Sequence, residues 1–256
     1  MENRKPLILI TNDDGYQAKG INALMESVRG LGEIIVVAPD GPRSGMSSAI
    51  TSLQPLRVRL IKDEPDLKIY SSTGTPVDCV KLGINELTGR RPDIVLSGIN
   101  HGSNAAVAVL YSGTMGAAIE GAVFKIPSIG FSFLDHDHNA DLSTTYKYAR
   151  ALTEQVLKDG LPAGTCLNVN IPKGDIKGVK ACRQTSGQWV DEFMVSKDGA
   201  NKKIYWLTGE FANDEPHDEN TDEWALAHNY VSIVPVKADM TDHDHLELIK
   251  AWENLM

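Results

Sequence analysis

The sequence predicts an α/β protein built on a doubly wound, mostly parallel sheet, and three observations predict it. Residues 7–11 (LILIT) and 33–38 (EIIVVA) are unbroken apolar, β-rich runs, the pattern of strands buried on both faces. Between them Ile21, Leu24, Met25 and Val28 recur at i, i+3, i+4 and i+7, the stripe of an amphipathic helix, which Gly30 and Gly32 end. Strand and helix patterns then keep alternating downstream, as a Rossmann-like sheet with helices on both faces requires.

Each later element has its own signal. Thr75-Pro76-Val77-Asp78 reads as an N-cap, a proline at N1 and an acid at N3, so a helix starts there and is expected to reach about Leu87. Residues 93–97 (DIVLS) form the next strand, followed by a Gly- and Ser-rich loop over 98–113 and an Ala-rich helix from Thr114 to about Phe124. Residues 128–133 (SIGFSF) are a strand, 143–158 a helix, and 166–171 (CLNVNI) the strand expected to close the core. Beyond residue 183 the pattern breaks into short alternating runs such as 203–208, which suggest hairpins, then a strand at 230–236 and a short helix from about Asp244. We therefore divide the chain into a Rossmann-like core, 1–183, and a C-terminal extension of hairpins and a short helix, 184–256. All four tryptophans (Trp189, Trp206, Trp224 and Trp252) fall in this extension, which is read as an oligomerisation element.

Composition narrows the function. The chain has 256 residues, 42% hydrophobic and 23% charged, enough for one large soluble domain. A net charge of -9 argues against binding to duplex nucleic acid. Cys79, Cys166 and Cys182 are scattered, odd in number and lack CxxC spacing, the usage of a cytoplasmic protein with reduced thiols. The apolar run Leu7–Ile10 is too short for a signal peptide or a membrane span, so no membrane partner is expected.

The chemistry-bearing residues cluster where strands end. Asp13 and Asp14, in Thr11-Asn12-Asp13-Asp14-Gly15, directly follow the first buried strand. Two carboxylates about 4 Å apart repel by roughly 4 kcal/mol at an effective dielectric of about 20, and a hard divalent cation is the usual offset. An Asp-Gly turn with a helix-capping aspartate is the alternative. The second strand runs into Asp40-Gly41-Pro42-Arg43-Ser44-Gly45-Met46-Ser47-Ser48, whose hydroxyl and N–H groups suit a metal or phosphate, or a plain surface loop. After 93–97 come Gly98-Ile99-Asn100-His101-Gly102-Ser103-Asn104, in which Asn100 offers a neutral carbonyl oxygen. Tyr111-Ser112-Gly113-Thr114 opens the Ala-rich helix, as an anion cradle or as ordinary capping. All four segments fall on the carboxyl edge of one sheet, where open α/β folds place their ligands.

In this order the motifs TNDDG, APDxxRSGxS, TGTPxDCVKLG, SGIN-x-GSN and YSGTMGAAIEGA, with NVNIP at 168–172, TD at 221–222 and YVSIVPV, resemble the SurE family of survival-protein nucleotidases over nearly the whole chain. The resemblance implies acid phosphatase activity on 5′- and 3′-nucleoside monophosphates, with short polyphosphate as a further substrate class. It also implies one divalent metal ion per subunit, Mg or Mn, and domain-swapped homodimers or homotetramers. Carried over by motif, Asp13, Asp14, Ser44 and Asn100 are metal ligands, and the two aspartates are the catalytic pair. Ser112, Gly113 and Thr114 hold phosphate, with Asn12, Gly45 and Gly102 close by. Ala105-Ala106-Val107-Ala108-Val109 departs from the Gly and Asp residues common in relatives, which bears on the shape of the pocket.

Other readings are weaker. A dinucleotide-dependent oxidoreductase needs a GxGxxG turn, but the first loop is NDDGYQAKG. A receiver module is about half this length and needs an acceptor aspartate where Ser-Gly-Ile-Asn stands. A non-catalytic nucleotide- or phosphate-binding protein is the remaining alternative. Asp135-His136-Asp137-His138, Asp242-His243-Asp244-His245 and the acidic run 214–223 read as solvated loops. His101 is a candidate substrate contact or proton donor.

Overall fold

The computed structural model describes residues 4–137 and 139–255. In chain order its elements are β1 (Leu7–Thr11), α1 (Lys19–Val28), β2 (Glu33–Pro39), β3 (Val58–Glu64), β4 (Leu67–Ser72), α2 (Pro76–Leu82), β5 (Ile94–His101), α3 (Gly113–Val123), β6 (Ser128–Phe133), α4 (Ser143–Asp159) and β7 (Thr165–Ile171). There follow β8 (Gly178–Ala181), β9 (Gly187–Val190), β10 (Phe193–Lys197), β11 (Lys203–Leu207), β12 (Glu210–Asn213), α5 (Asp222–Ala227), β13 (Tyr230–Lys237) and α6 (Leu246–Lys250).

Nine strands form one sheet in the order β3-β4-β2-β1-β5-β6-β7-β13-β8. Its centre, from β4 to β7, is parallel, while β3 and β13 run antiparallel to their neighbours β4 and β7. Strand pleating sends alternate residues to opposite faces. Ile8 and Ile10 pack in the cluster with α1 and α4, while Leu7 and Leu9 pack with Cys79 and Val80 of α2. That is why β1 reads as a continuous apolar run.

The core is larger than the sequence suggests. Residues 166–171 do not close it, because β13 pairs with β7 through Ser232↔Asn170 to Lys237↔Thr165, and β8 adds beyond it. The sheet thus draws strands from both sides of position 183. The helix opened by Thr75 has a full capping box with Asp78, and its last turn, Gly83–Leu87, is π-helical. Helix α5 is an element the sequence reading did not anticipate; Thr221 caps it by accepting from Trp224 N.

Close packing fixes where the site can form. A Cβ at Gly20 of α1 would lie 1.9 Å from the backbone oxygen of Ile99, next to Asn100. Gly20→Ala is expected to destabilise the fold by about 3 kcal/mol or more, since neither backbone can yield without moving the other. Urea unfolding measures this, and a change below about 1 kcal/mol would contradict the packing.

Candidate active site

The sheet reverses its order at β1. From β1 the chain builds outward through β2 and β4, then crosses to β5 on the other side. Such a switch point opens a crevice at the carboxyl ends of the two diverging strands. Asp13 and Asp14 follow β1, and Asn100 stands near the end of β5, so both line that crevice.

A cleft of about 620 Å³ occupies it. Of the residues marked in the sequence, Asp13, Asp14, Ser44, Gly45, Asn100 and Ser112 line it together. The loop carrying Asp13 is rigidly built. The Asn12 side chain donates to Gly15 O (3.0 Å) and accepts from Gly15 N (3.1 Å), and Gly15 sits at φ +100°, where a side chain would be strained. Tyr16 N donates to Pro39 O and Arg43 N to Asp13 O, at 2.9 and 2.7 Å, so the loops after β1 and β2 brace each other. The second loop is also tied to the turn before α3: Ser47 Oγ donates to Leu110 O at 2.6 Å.

Four marked residues do not line the cleft, for identifiable reasons. Asn12 is fully buried, and its amide is committed to the Gly15 backbone. Thr114 is also fully buried, and its hydroxyl donates to Asp13 Oδ1 at 2.6 Å, so its side chain positions Asp13. Gly113 leaves room for Asp13: a Cβ there would lie 2.9 Å from Asp13 Cβ. Gly102 leaves room for an imidazole, since its Cβ would fall 2.5 Å from the His136 ring.

The electrostatics centre on Asp13. Burial pushes its pKa up to about 6; the Thr114 hydrogen bond opposes this and the neighbouring Asp14 charge adds to it. Ser112 caps α3 by accepting from Met115 N at 3.0 Å, and its place on the cleft wall sets the positive end of the helix dipole at the cleft. Asn100 donates its amide to Gly102 O at 3.0 Å, which leaves its carbonyl oxygen as the ligand-competent atom.

A hard cation fits this donor set. Asp13, Asp14, Ser44 and Asn100 offer only oxygen, the preference of Mg or Mn, and no cluster of three or more His, Cys, Asp or Glu suited to a metal occurs among the described residues. A buried carboxylate beside a second one is destabilised when ionised, and a cation removes that penalty.

The family model described as Survival protein SurE matches residues 8–191. The chain belongs to the SurE family. It is 52% identical over 253 residues to the 5′-nucleotidase SurE of Phocaeicola vulgatus, covering 98% of both chains. Its identity to the 5′-nucleotidase SurE of Bacteroides fragilis is 49%, over 99% of this chain and 100% of that one. The crystal structure of the SurE protein from Aquifex aeolicus superposes with a TM-score of 0.84 at 39% identity, over 97% of this chain and 100% of that one.

In this SurE chain the cleft holds residues that sequence reasoning missed or assigned elsewhere. Asn104, Ala108 and Tyr111 line it from the loop before α3, and Trp189, Glu192, Leu207 and Thr208 from the C-terminal hairpins. His136, exposed in its loop as expected, also lines the cleft, and His101 lies alongside with Nδ1 3.2 Å from Asp135 O. Asp135 pairs with Lys173 at 2.9 Å, whereas His138 lies outside the described residues. The second cluster is solvated as expected: His243 and His245 are exposed and pair locally with Asp239 and Asp242. Asn104 is placed by a buried amide network. Its N–H donates to Asn170 Oδ1, its side chain to Ser132 Oγ, and Asn168 Nδ2 to its carbonyl, each at 2.8 Å. NVNIP therefore carries a signal after all: polar residues inside a buried strand mark a satisfied network.

Proposed function

We propose that this SurE-family chain hydrolyses nucleoside 5′-monophosphates to nucleoside and inorganic phosphate, with 3′-monophosphates and short polyphosphate as further substrates. It is a phosphoric monoester hydrolase of the 5′-nucleotidase type. The observation that carries the reading is the abutment of Asp13 on the N-terminus of α3, with Asp14 beside it in one cleft at the switch point.

Asp13, Asp14, Ser44 and Asn100 are the residues that would hold a single Mg or Mn ion. When bound, it supplies Lewis-acid polarisation of a phosphoryl oxygen and offsets the charge of the aspartate pair. Thr114 fixes the Asp13 carboxylate through its hydrogen bond. Ser112, which lines the cleft at the N-terminus of α3, meets the equatorial phosphate oxygens with the positive end of the helix dipole behind it, already in place as charge develops. The departing nucleoside oxygen needs a proton, and the imidazoles of the cleft, His101 and His136, are the side chains there suited to supply it.

The test is phosphate release from a panel of nucleoside 5′- and 3′-monophosphates, with Mn or Mg and then with chelator. Chelator-sensitive release is expected. Nucleotide binding without release under any metal would leave a non-catalytic binding protein.

Metal affinity depends on pH through Asp13. A proton on this carboxylate competes with the ion, so apparent affinity falls about tenfold per pH unit below about 6 and levels off above it. Calorimetric titration of metal-stripped protein with Mn at pH 5 and 7 measures the slope. Equal affinities at both would remove Asp13 from the ligand set.

The distal hairpin β10–β11 supports a homodimer or homotetramer. Phe193, Met194, Val195, Tyr205, Trp206 and Leu207 are each more than half exposed, and Leu248 and Trp252 near the C-terminus are likewise exposed. Contiguous apolar surface of this kind is the mark of a protein interface. Light scattering should give two or four chains; a single-chain mass at micromolar concentration would contradict this. No helix among the described residues is long and apolar enough to cross a membrane. The three cysteines are free and buried, which supports a cytoplasmic setting.

A further inference from the structure

We propose that Trp189 is the wall on which the substrate's nucleobase stacks, with Glu192 beside it accepting hydrogen bonds from base N–H groups. The inference rests on the phosphatase reading and deepens it by naming the residue that selects the nucleobase of those substrates. The cleft, about 620 Å³, is far larger than a phosphate needs and lies within the range of whole-ligand pockets. Asp13, Asp14 and Ser112 account for its phosphate end. One further wall comes from another part of the chain, through Trp189, Glu192, Leu207 and Thr208. No Lys or Arg lines the cleft among the described residues, and the Trp189 and Leu207 side chains make this wall suited to an uncharged aromatic group.

Trp189 is held for that role. It is 37% exposed, so part of its ring stays open to a ligand. Its register partner on β12 is Phe211, whose ring meets it edge-on, with centroids 6.1 Å apart at 68°. Gly187 makes the packing possible, since a Cβ there would fall 2.5 Å from the Phe211 ring. The β9–β12 ribbon is anchored at its base: Thr185 Oγ1 donates to Asp222 Oδ1 at 2.6 Å, and Ala106 N donates to Asp222 Oδ2 at 2.9 Å. One carboxylate therefore ties the ribbon to the loop that carries Asn104 and Ala108. Glu192 is set at the ribbon's bend, where its carbonyl accepts from Thr208 N at 2.7 Å. Its carboxylate oxygens accept hydrogen bonds and so suit the N–H edges of bases.

The experiment compares Trp189→Ala with wild type on 5′-AMP and on glycerol 2-phosphate, which has no base. Base–aromatic stacking sets the expected size: the loss in kcat/KM on the nucleotide, carried by KM, exceeds that on glycerol 2-phosphate by about tenfold, and Trp189→Phe recovers most of it. Equal loss on both substrates, or none on either, overturns the proposal. Failure of the phosphatase reading looks different, because wild type would release no phosphate from either compound. In that case adenosine quenching of tryptophan fluorescence tests the subsite alone. Quenching lost in Trp189→Phe supports it, and quenching identical in the two proteins overturns it.

Discussion

Asp13→Asn is expected to lower metal-dependent hydrolysis by about 10³-fold or more while leaving the metal-free fold at least as stable as wild type at neutral pH. Both halves follow from the same burial. Asp13 is 4% exposed, and its pKa is raised from 3.8 to about 6. A carboxyl whose folded pKa lies above its unfolded value binds its proton more tightly when folded, so the stability it contributes is lost as pH rises through the window between them. Above pH 6 the ionised group destabilises the metal-free protein by about 3 kcal/mol. Asparagine removes the charge, keeps the shape, and can still accept the Thr114 hydroxyl. It also removes one of two carboxylates from the cation's donor set. Unfolding midpoints at pH 5 and pH 7.5, with and without Mn, separate the two effects. Wild type should gain more from Mn at pH 7.5 than the variant does. A variant that unfolds much more easily than metal-free wild type at pH 7.5 would show that the Asp13 charge serves the fold.

Asp222→Ala is expected to cost about 3–5 kcal/mol and to lower the melting temperature by about 10 °C. The carboxylate is 1% exposed and accepts from Ala106 N, Thr185 N, Thr185 Oγ1 and Glu223 N, at 2.9, 2.9, 2.6 and 2.9 Å. Truncation leaves the Ala106 and Thr185 N–H groups and the Thr185 hydroxyl unpaired in a dry interior, while Glu223 N keeps only Thr185 Oγ1. The damage extends to the cleft, because these donors hold together the Ala106 turn and the foot of the β9–β12 ribbon. Calorimetry and kcat/KM should fall together. A melting temperature within about 2 °C of wild type would mean that other contacts fix both segments.

Much of this fold is legible in the sequence because the central strands are buried on both faces. β1, β6 and, after Glu33, β2 show only apolar and small residues, and the strands are read from those runs. β3 gives no such signal: it is an edge strand, exposed at every position, and VRLIKDE carries charges that a buried strand would exclude. β4 beside it is partly exposed and reads no more clearly. The addition of β13 to the main sheet could not be read either. Its pairing with β7 joins residues over sixty positions apart, and no local pattern encodes such a contact.

The site divides in the same way. Asp13, Asp14, Ser44, Asn100 and Ser112 were legible because strand ends on one sheet edge converge by topology. Thr114 was assigned to phosphate because a hydroxyl at a helix start suits that role, and only the packing shows it turned toward Asp13. Trp189 was grouped with the tail's other tryptophans as interface material. The bend at Asp191 and Gly209, both at positive φ, joins Trp189 before it to Glu192, Leu207 and Thr208 beyond it on one cleft wall.

The most direct test of the central claim is a metal add-back on 5′-AMP hydrolysis. Protein stripped with chelator and dialysed should release no phosphate. Mn or Mg titrated back should restore hydrolysis with a saturation curve corresponding to one ion per subunit. Full activity in the stripped protein, or no activity at any metal concentration in a folded protein, would contradict the account.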